Sequence, residues 1–497
     1  MNKNKLSKNL IITFLTYAIL LIANVIVTKI ILVSYGSEIN GLLSSVNQVF
    51  AYVALLEAGI GTATITALYK PLVEKDYEKV SQVYSASVAY YKSVLKWYII
   101  CVAVVSFLWP FVLDTQVNYW TIFGFISIQG ISNALTFYFV STTTNYLLAN
   151  GKNYINVYVH AIITILTYLA KALISILGGN IVIISLALLM INILKCGFYW
   201  LYKKIKCKEI KILRQADKTL LKNRNSFLIH EISGCVFAAT DLILISVFCD
   251  LKTASVYSVY SMVLTAVSGI ISQVFNSSTY ILGKAYSRGD GYNDIHDRFN
   301  TIYIGIVFCV YTVVYLLLSP FVSVYTQGIN DINYMDKYLP IMFVGIQLLS
   351  SCRIVNNSLI KIALHAKQTV SRTIIESGIN LVVSIILVNV IGIYGVLIGT
   401  LIALLYRSND IILYANRKIL KRSPWKEYKL YIVNFLIFSL FFVLNCYIPV
   451  KAYSYGELLL KGVIVFFSVA IIYFLLNLLA FAKILRGKKR TNNNMEC

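Results

Sequence analysis

Long apolar runs follow one another along the whole sequence, each closed by a short polar or basic segment. A bilayer core takes about 20 apolar residues of helix. Fourteen stretches reach that length, roughly 10–33, 41–69, 84–113, 118–149, 155–177, 180–202, 225–249, 253–284, 298–326, 335–366, 369–391, 393–416, 430–448 and 457–483. Several are longer than a bilayer needs, which predicts tilt or helix continuing past the lipid. In the third, Lys92 and Lys96 precede the purely apolar part, Trp97 to Leu113. The pattern predicts an all-α polytopic membrane protein of fourteen transmembrane helices, with no soluble domain of any size.

The connecting segments alternate in charge. Those on one side, at 1–8, 70–80, 150–154, 202–225, 284–298, 361–373, 416–430 and 483–497, hold 33 Lys or Arg, and the short turns on the other side hold two, Lys252 and Lys451. The positive-inside rule then puts both termini and all the basic segments in the cytoplasm. The apolar run at 9–33 is too long for a signal-peptide core, so it is expected to remain as the first helix.

Composition agrees. The chain of 497 residues is 58% hydrophobic and 13% charged, against about 25% charged in soluble domains. Its net charge of +23 reflects topology and attraction to an anionic inner leaflet, so nucleic acid is not expected as a partner. The nine cysteines have no metal-type spacing and lie mostly inside apolar runs. They read as small buried hydrophobes without a disulfide framework.

The two halves echo each other. WPFV (109–112) closes the third span and SPFV (319–322) the ninth, while IQGIS (128–132) lies in the fourth and IQLLS (346–350) in the tenth; the offsets are 210 and 218 residues. A common offset predicts a duplication: a six-helix bundle at 1–201, a basic cytoplasmic linker at 202–224, a second six-helix bundle at 225–429, and two appended helices with a basic tail at 430–497. The linker reads as a solvated connection or as a helix lying on the membrane surface. Parallel repeats around an axis along the membrane normal enclose a central cavity, which is transporter architecture.

Ionisable residues cost about 2.5–3.5 kcal/mol each at mid-bilayer on insertion scales and usually face a cavity or a partner. Lys29, Lys171 and Lys195 lie within two turns of a membrane face and can snorkel. His230, Glu231 and Glu376 lie near the cytosolic ends of their spans. Arg407 and Asp410, at i and i+3, can pair on one helix face. Glu57, Asp241 and Arg353 sit deeper by residue count, with Arg353 the deepest cation. Gly61 and Thr64 share the helix face of Glu57. That face suits close packing or a wet lumen, and buried Glu57–Arg353 or Asp241–Arg353 ion pairs are the alternative. Some of the 37 tyrosines belong to interfacial belts, and others suit a sugar-lined lumen.

No phosphate-loop GxxxxGK[ST], HExxH or GxSxG occurs, so nucleotide hydrolysis by a P-loop and zinc or serine hydrolysis find no support. Gly395 and Gly399 form one GxxxG helix-packing motif.

TKIILVSYGSEINGLLSSVNQVF (28–50) followed by LLEAGIGTATITALYKPLVEKD (55–76) resembles the start of the polysaccharide transport (Wzx-type) flippases. These belong to the multidrug/oligosaccharidyl-lipid/polysaccharide exporter superfamily. HEISGCVFAATDLILISVFCDLKTASVYSVYSMV (230–263) resembles the start of that family's second half, and LLANGKNYI (147–155) its junction of fourth and fifth helices. The resemblance implies two six-helix bundles in a V and no enzymatic activity. It implies movement of undecaprenyl-pyrophosphate-linked oligosaccharide to the outer leaflet of the bacterial cytoplasmic membrane, for capsule or O-antigen-type assembly. Coupling to H+ or Na+ would replace any cofactor. Partners would be the lipid-linked oligosaccharide, membrane lipids, a polysaccharide polymerase and chain-length proteins.

A pyrophosphate crossing low dielectric needs cations, which makes Arg353, Lys171, Lys29, Lys96 and Arg407 the expected substrate-binding residues. Glu57, Asp241 and Asp410 are the expected ion-coupling residues. A lipid II flippase, a cation-coupled drug antiporter, a membrane-embedded polysaccharide polymerase and a scaffold protein are the alternatives. The polymerase would need an outward loop long enough to hold catalytic residues, and none is present.

Overall fold

The computed structural model describes residues 3–57, 59–213, 217–221, 224–288 and 292–493, with backbone alone at 3–18, 218, 224–231, 233, 274, 276–281, 288, 366 and 478–493. All regular elements among them are helical. Twelve helical segments of the described residues are long and apolar enough to cross a bilayer. The first, Ile19–Glu57, holds two of the expected spans, and Gly234–Phe248 is a shorter apolar helix, so all fourteen expected spans are represented. The chain forms two compact units, Met1–Val256 and Tyr257–Cys497.

The first unit contains α1 (Lys3–Val53), α2 (Ile60–Glu74), α3 (Tyr77–Val112), α4 (Tyr119–Ala149), α5 (Asn153–Ile176), α6 (Ile181–Lys206), α7 (Arg224–Phe248) and the start of α8 (Leu251–Arg288). Within it α4 packs on α3 and α6, and α1 packs on α5 and α7. By packing, α7 therefore belongs with the first six spans. Two helices meet within α1 at Gly36, whose φ of 79° and ψ of 179° suit glycine alone. The expected turn at 34–40 is thus a one-residue kink. Gly41 follows: a Cβ there would lie 1.8 Å from the carbonyl oxygen of Leu251, so its lack of a side chain lets α1 touch the start of α8.

The unit is apolar outside and studded with small polar groups inside. Leu169, Leu173 and Ile176 of α5 are exposed, while Ser81, Ser85, Ser87, Thr64, Thr142 and Thr143 are buried. The Thr64 hydroxyl lies 2.7 Å from the Ile60 carbonyl and 3.1 Å from Ser87 Oγ. Tyr84 and Thr143 share a hydrogen bond of 3.0 Å. Lipid offers a polar group no partner, so such groups turn inward and pair across helices.

The linker departs from the expected solvated connection. The backbone N–H groups of Lys211 and Leu213 donate to Ser81 Oγ (3.1 Å) and Ser85 Oγ (2.9 Å) of α3. Cys207, Ile210 and Leu221 are buried. The described part of this basic stretch is docked along α3.

The second unit continues α8 and adds α9 (Tyr292–Tyr325), α10 (Leu339–Cys352), α11 (Ile354–Ile362), α12 (Val370–Ile391), α13 (Ile393–Tyr414), α14 (Trp425–Tyr447) and α15 (Tyr455–Asn493). Here α12 pairs with α13, α10 with α9 and α13, and both α14 and α15 pack on α9. The GxxxG motif works at the α12–α13 contact. A Cβ on Gly395 would meet the Leu387 carbonyl carbon at 2.3 Å, and one on Gly399 would meet Ser384 Oγ at 2.2 Å.

Candidate functional site

In the first unit the second span breaks. The helix ending at Val53 passes into a tight 3-10 turn, Ala54–Glu57, and Gly59 then starts α2 from the left-handed region with φ 77°, where a side chain is strained. The break lines a cavity of ≈ 570 Å³. Gln48, Glu57, Gly59 and Thr62 line it from the two sides of the break, Tyr91 from α3, Ser141, Thr144 and Asn145 from α4, and Cys235, Ala238 and Ala239 from α7. Asn145 donates from Nδ2 to the Tyr91 hydroxyl at 3.2 Å. Gly61 lines the cavity as its helix face implied. Thr64 does not, because its hydroxyl is spent on Ile60 and Ser87.

Glu57 is half-buried in this cavity. Asp241 is buried on α7, directly after Thr240, whose hydroxyl shares a hydrogen bond with Tyr52. The cavity takes its α7 wall from Cys235, Ala238 and Ala239, and Asp241 is not among the described lining residues. Sequence reasoning missed the α4 contribution. The run STTTN (141–145) was the available signal, a polar patch inside an apolar span.

In the second unit the tenth span runs as α10 and α11, which abut at Arg353, itself in helical conformation with φ −78° and ψ −10°. Arg353 pairs with Glu376 of α12, a partner the sequence did not suggest. Arg407 Nε lies 3.5 Å from Glu376, and Arg407 Nη1 lies 2.6 Å from Asp410. Arg372 Nη1 reaches the other Asp410 oxygen at 2.5 Å, and Arg407 Nη2 donates to Thr373 Oγ1 at 3.2 Å. The i, i+3 pairing of Arg407 with Asp410 is as expected. Glu376 lies near a helix end, as read from sequence, and is buried and bridges two guanidiniums.

The Arg407 side chain is 5% exposed, Arg353 18% and Arg372 34%, so Arg353 and Arg372 are the more accessible guanidiniums of this network. Such buried charges persist only when paired and hydrogen-bonded.

Arg353 pairs near the start of α12. Its partner Glu376 is six residues into α12, about 9 Å along the helix from the end joined to the basic segment 361–373. One turn beyond Arg353, Asn356 donates to buried Glu427 near the start of α14, together with Asn300 (3.2 Å) and Asn416 (2.6 Å).

The lysines divide. Tyr35 of α1 donates to the Gly179 carbonyl just past α5, and Val27 and Ile31 belong to the same core cluster as Tyr168 and Ala172. Lys29 and Lys171 therefore lie at one level of the α1–α5 contact. Lys96 is separate, exposed on α3 beside exposed Trp97, Ile99 and Ile100, and it is not among the residues lining the Glu57 cavity.

A third feature is almost wholly apolar. A groove of ≈ 700 Å³ lies between α9 and α15, lined by Ile302, Ile306, Val310, Phe466 and Phe474 among others. A neighbouring pocket of ≈ 450 Å³ shares Phe466 and runs on to Phe321. From Thr301 to Phe321 the two cover 21 residues of α9, about 30 Å of helix and one hydrocarbon thickness.

No family model and no curated protein matches the sequence. Solved structures do match in fold. The lipid II flippase MurJ in an inward closed conformation is 14% identical, with a TM-score of 0.71 over 93% of this chain and 98% of that one. An inward-facing multidrug resistance MATE transporter of the MOP superfamily is 14% identical, with a TM-score of 0.66 over 80% and 94%. A MOP superfamily transporter from Pyrococcus furiosus is 13% identical, with a TM-score of 0.54 over 81% and 96%. The chain thus has the fold of these transporters and flippases, which confirms the expected architecture. The MurJ match leaves 7% of 497 residues unmatched, about 35. That is fewer than the 68 residues from 430 onward, so it reaches into the region of α14 and α15.

Proposed function

We propose that this protein is a flippase that carries pyrophosphate-linked oligosaccharide on a polyprenyl lipid from the cytoplasmic to the outer leaflet by alternating access. The observation that carries the reading is the apolar groove of bilayer length between α9 and α15. A lipid-linked saccharide is amphipathic, so its carrier must offer an apolar track to the tail and polar surfaces to the head. The groove suits an isoprenoid chain, which gains by burial of each CH2. A small-molecule antiporter has no need of such a track.

In this reading the pyrophosphate meets Arg353 and Arg372. Planar guanidiniums bind phosphate oxygens in a bidentate manner, and Glu376 and Asp410 hold them aimed while no cargo is present. Arg407, the most buried of the three, serves as the scaffold. Lys29 and Lys171 offer a second cationic level on α1 and α5. Asp241, buried on α7, is the residue we assign to a coupling proton or sodium ion. Export for capsule or O-antigen-type assembly follows from the same reading, as does the sequence resemblance to Wzx-type flippases.

Depleting the protein in the cell that makes it tests the reading. Complete lipid-linked repeat units should accumulate facing the cytoplasm. Truncated units, or complete units already outside, would refute it and point to a biosynthetic enzyme.

A further inference from the structure

We propose that Glu427 and the asparagines packed around it bind one sodium ion, which ties α14 to α9 and α11. Four elements converge here. Asn300 comes from α9, Asn356 from α11, Asn416 from the π turn Ala415–Ile419 that follows α13, and Glu427 from the first turn of α14. None of the four is more than 4% exposed. A glutamate in a first turn usually meets water and the helix dipole. Glu427 is instead enclosed, and it accepts from the Nδ2 of all three asparagines. Arg422 and Lys426 pair with Asp297 rather than with Glu427, so neutral amides hold this carboxylate.

The amide oxygens point to an ion. Asn300 Oδ1 and Asn356 Oδ1 are buried without a hydrogen-bond partner, a rarity in native structures. Asn416 differs. Its Oδ1 accepts from Arg422 Nε at 2.9 Å and its Nδ2 also donates to the Ile412 carbonyl at 3.0 Å, so it is locked. Asn300 and Asn356 are not, and both donate to the same oxygen, Glu427 Oε1. A half-turn of a carboxamide exchanges its oxygen and nitrogen with little change of shape. Turned so, the two amides bring their Oδ1 atoms to face Oε1, and a cation between the three oxygens replaces the two N–H donors. Asn416 keeps Glu427 aimed in both states. Oxygen donors select hard ions, and a single carboxylate matches a single charge. Calcium fits less well, because it takes about six to eight oxygens and gains affinity with ligand charge. Water fills the rest of the shell, as at other hard-cation sites.

The test measures radioactive sodium retained by purified full-length protein in detergent, with choline chloride holding the ionic strength constant. No cargo is involved, so this result and the flippase reading stand or fall separately. Wild type should bind sodium saturably, and Glu427→Gln should hold one ion fewer per chain. An ion elsewhere, such as at Asp241, leaves that difference of one intact. For wild type, CaCl2 should displace the label no better than NaCl. Asn300→Asp, which adds a second carboxylate to the shell, should make CaCl2 the better competitor by tenfold or more. Absence of saturable binding in wild type, or the full wild-type number of ions in Glu427→Gln, would overturn the site. So would CaCl2 outcompeting NaCl in wild type. Where Glu427→Gln fails to fold, Asn300→Asp decides, and calcium competition unchanged from wild type would overturn the site equally.

Discussion

Replacing Gly399 with alanine should force α12 and α13 apart, whereas the same change at Gly61 should be nearly silent. At Gly399 the new Cβ would lie 2.2 Å from Ser384 Oγ, 2.8 Å from its backbone N and 3.1 Å from its Cα. Rotation of the serine relieves the first contact but not the two to backbone, so the helices must separate by several tenths of an ångström. Overpacking of this kind costs about 1–3 kcal/mol. The buried hydrogen bond from Asn380 to Thr400 Oγ1, 2.7 Å long, lies beside the contact and is worth roughly 0.5–1.5 kcal/mol more. Alanine returns up to about 1 kcal/mol of helix propensity, which leaves a net loss of about 1–3 kcal/mol. At Gly61 the nearest atoms to a new Cβ are those of the Asn145 amide at 3.5 Å, an ordinary contact. Thermal unfolding of detergent-purified protein should show Gly399→Ala lowered by about 2–12 °C, at 2–4 °C per kcal/mol for units of this size, with Gly61→Ala unchanged or slightly raised. Equal midpoints for the two variants would refute the close approach of α12 and α13.

Arg353→Ala should abolish transport while the protein still reaches the membrane with near wild-type stability, because Glu376 keeps Arg407. Arg407→Ala should destabilise by about 3–5 kcal/mol, because it takes a partner from two carboxylates at once; unfolding midpoints and vesicle transport separate the two effects. Gly59→Ala should cost about 1–2 kcal/mol from left-handed strain, and an unchanged midpoint would mean that the break in the second span is not fixed there. Ser81→Ala with Ser85→Ala should speed trypsin cleavage after Lys208 and Lys211 tenfold or more, since two hydrogen bonds of about 1 kcal/mol each dock that stretch on α3. Cleavage at the wild-type rate would show it to be held otherwise.

Hydropathy runs and turn positions were enough to place every span, because lipid makes apolar length the dominant signal. Interruptions within the runs were harder to read. Glu57 stood out as a charge in an apolar run, yet that Gly59 breaks the helix there depends on its left-handed backbone, which no composition reports. For Arg353 the sequence did not point to Glu376 as a partner. Its partner Glu376 lies 23 residues away on another helix, and only the fold brings α10 and α12 together. Arg407 and Asp410 were legible because i and i+3 share a helix face. The docking of 207–213 on Ser81 and Ser85 was not, since serines inside a helix and a basic linker carry no pairing signal.

The measurement that reaches furthest is leaflet exchange of a fluorescent polyprenyl-pyrophosphate oligosaccharide in vesicles containing the purified protein, read with a quencher that does not cross the membrane. The account predicts that the quenched fraction climbs from the outer-leaflet share toward completeness, and that Arg353→Ala stops the climb. A quenched fraction that stays at the outer-leaflet share, as in protein-free vesicles, would contradict it.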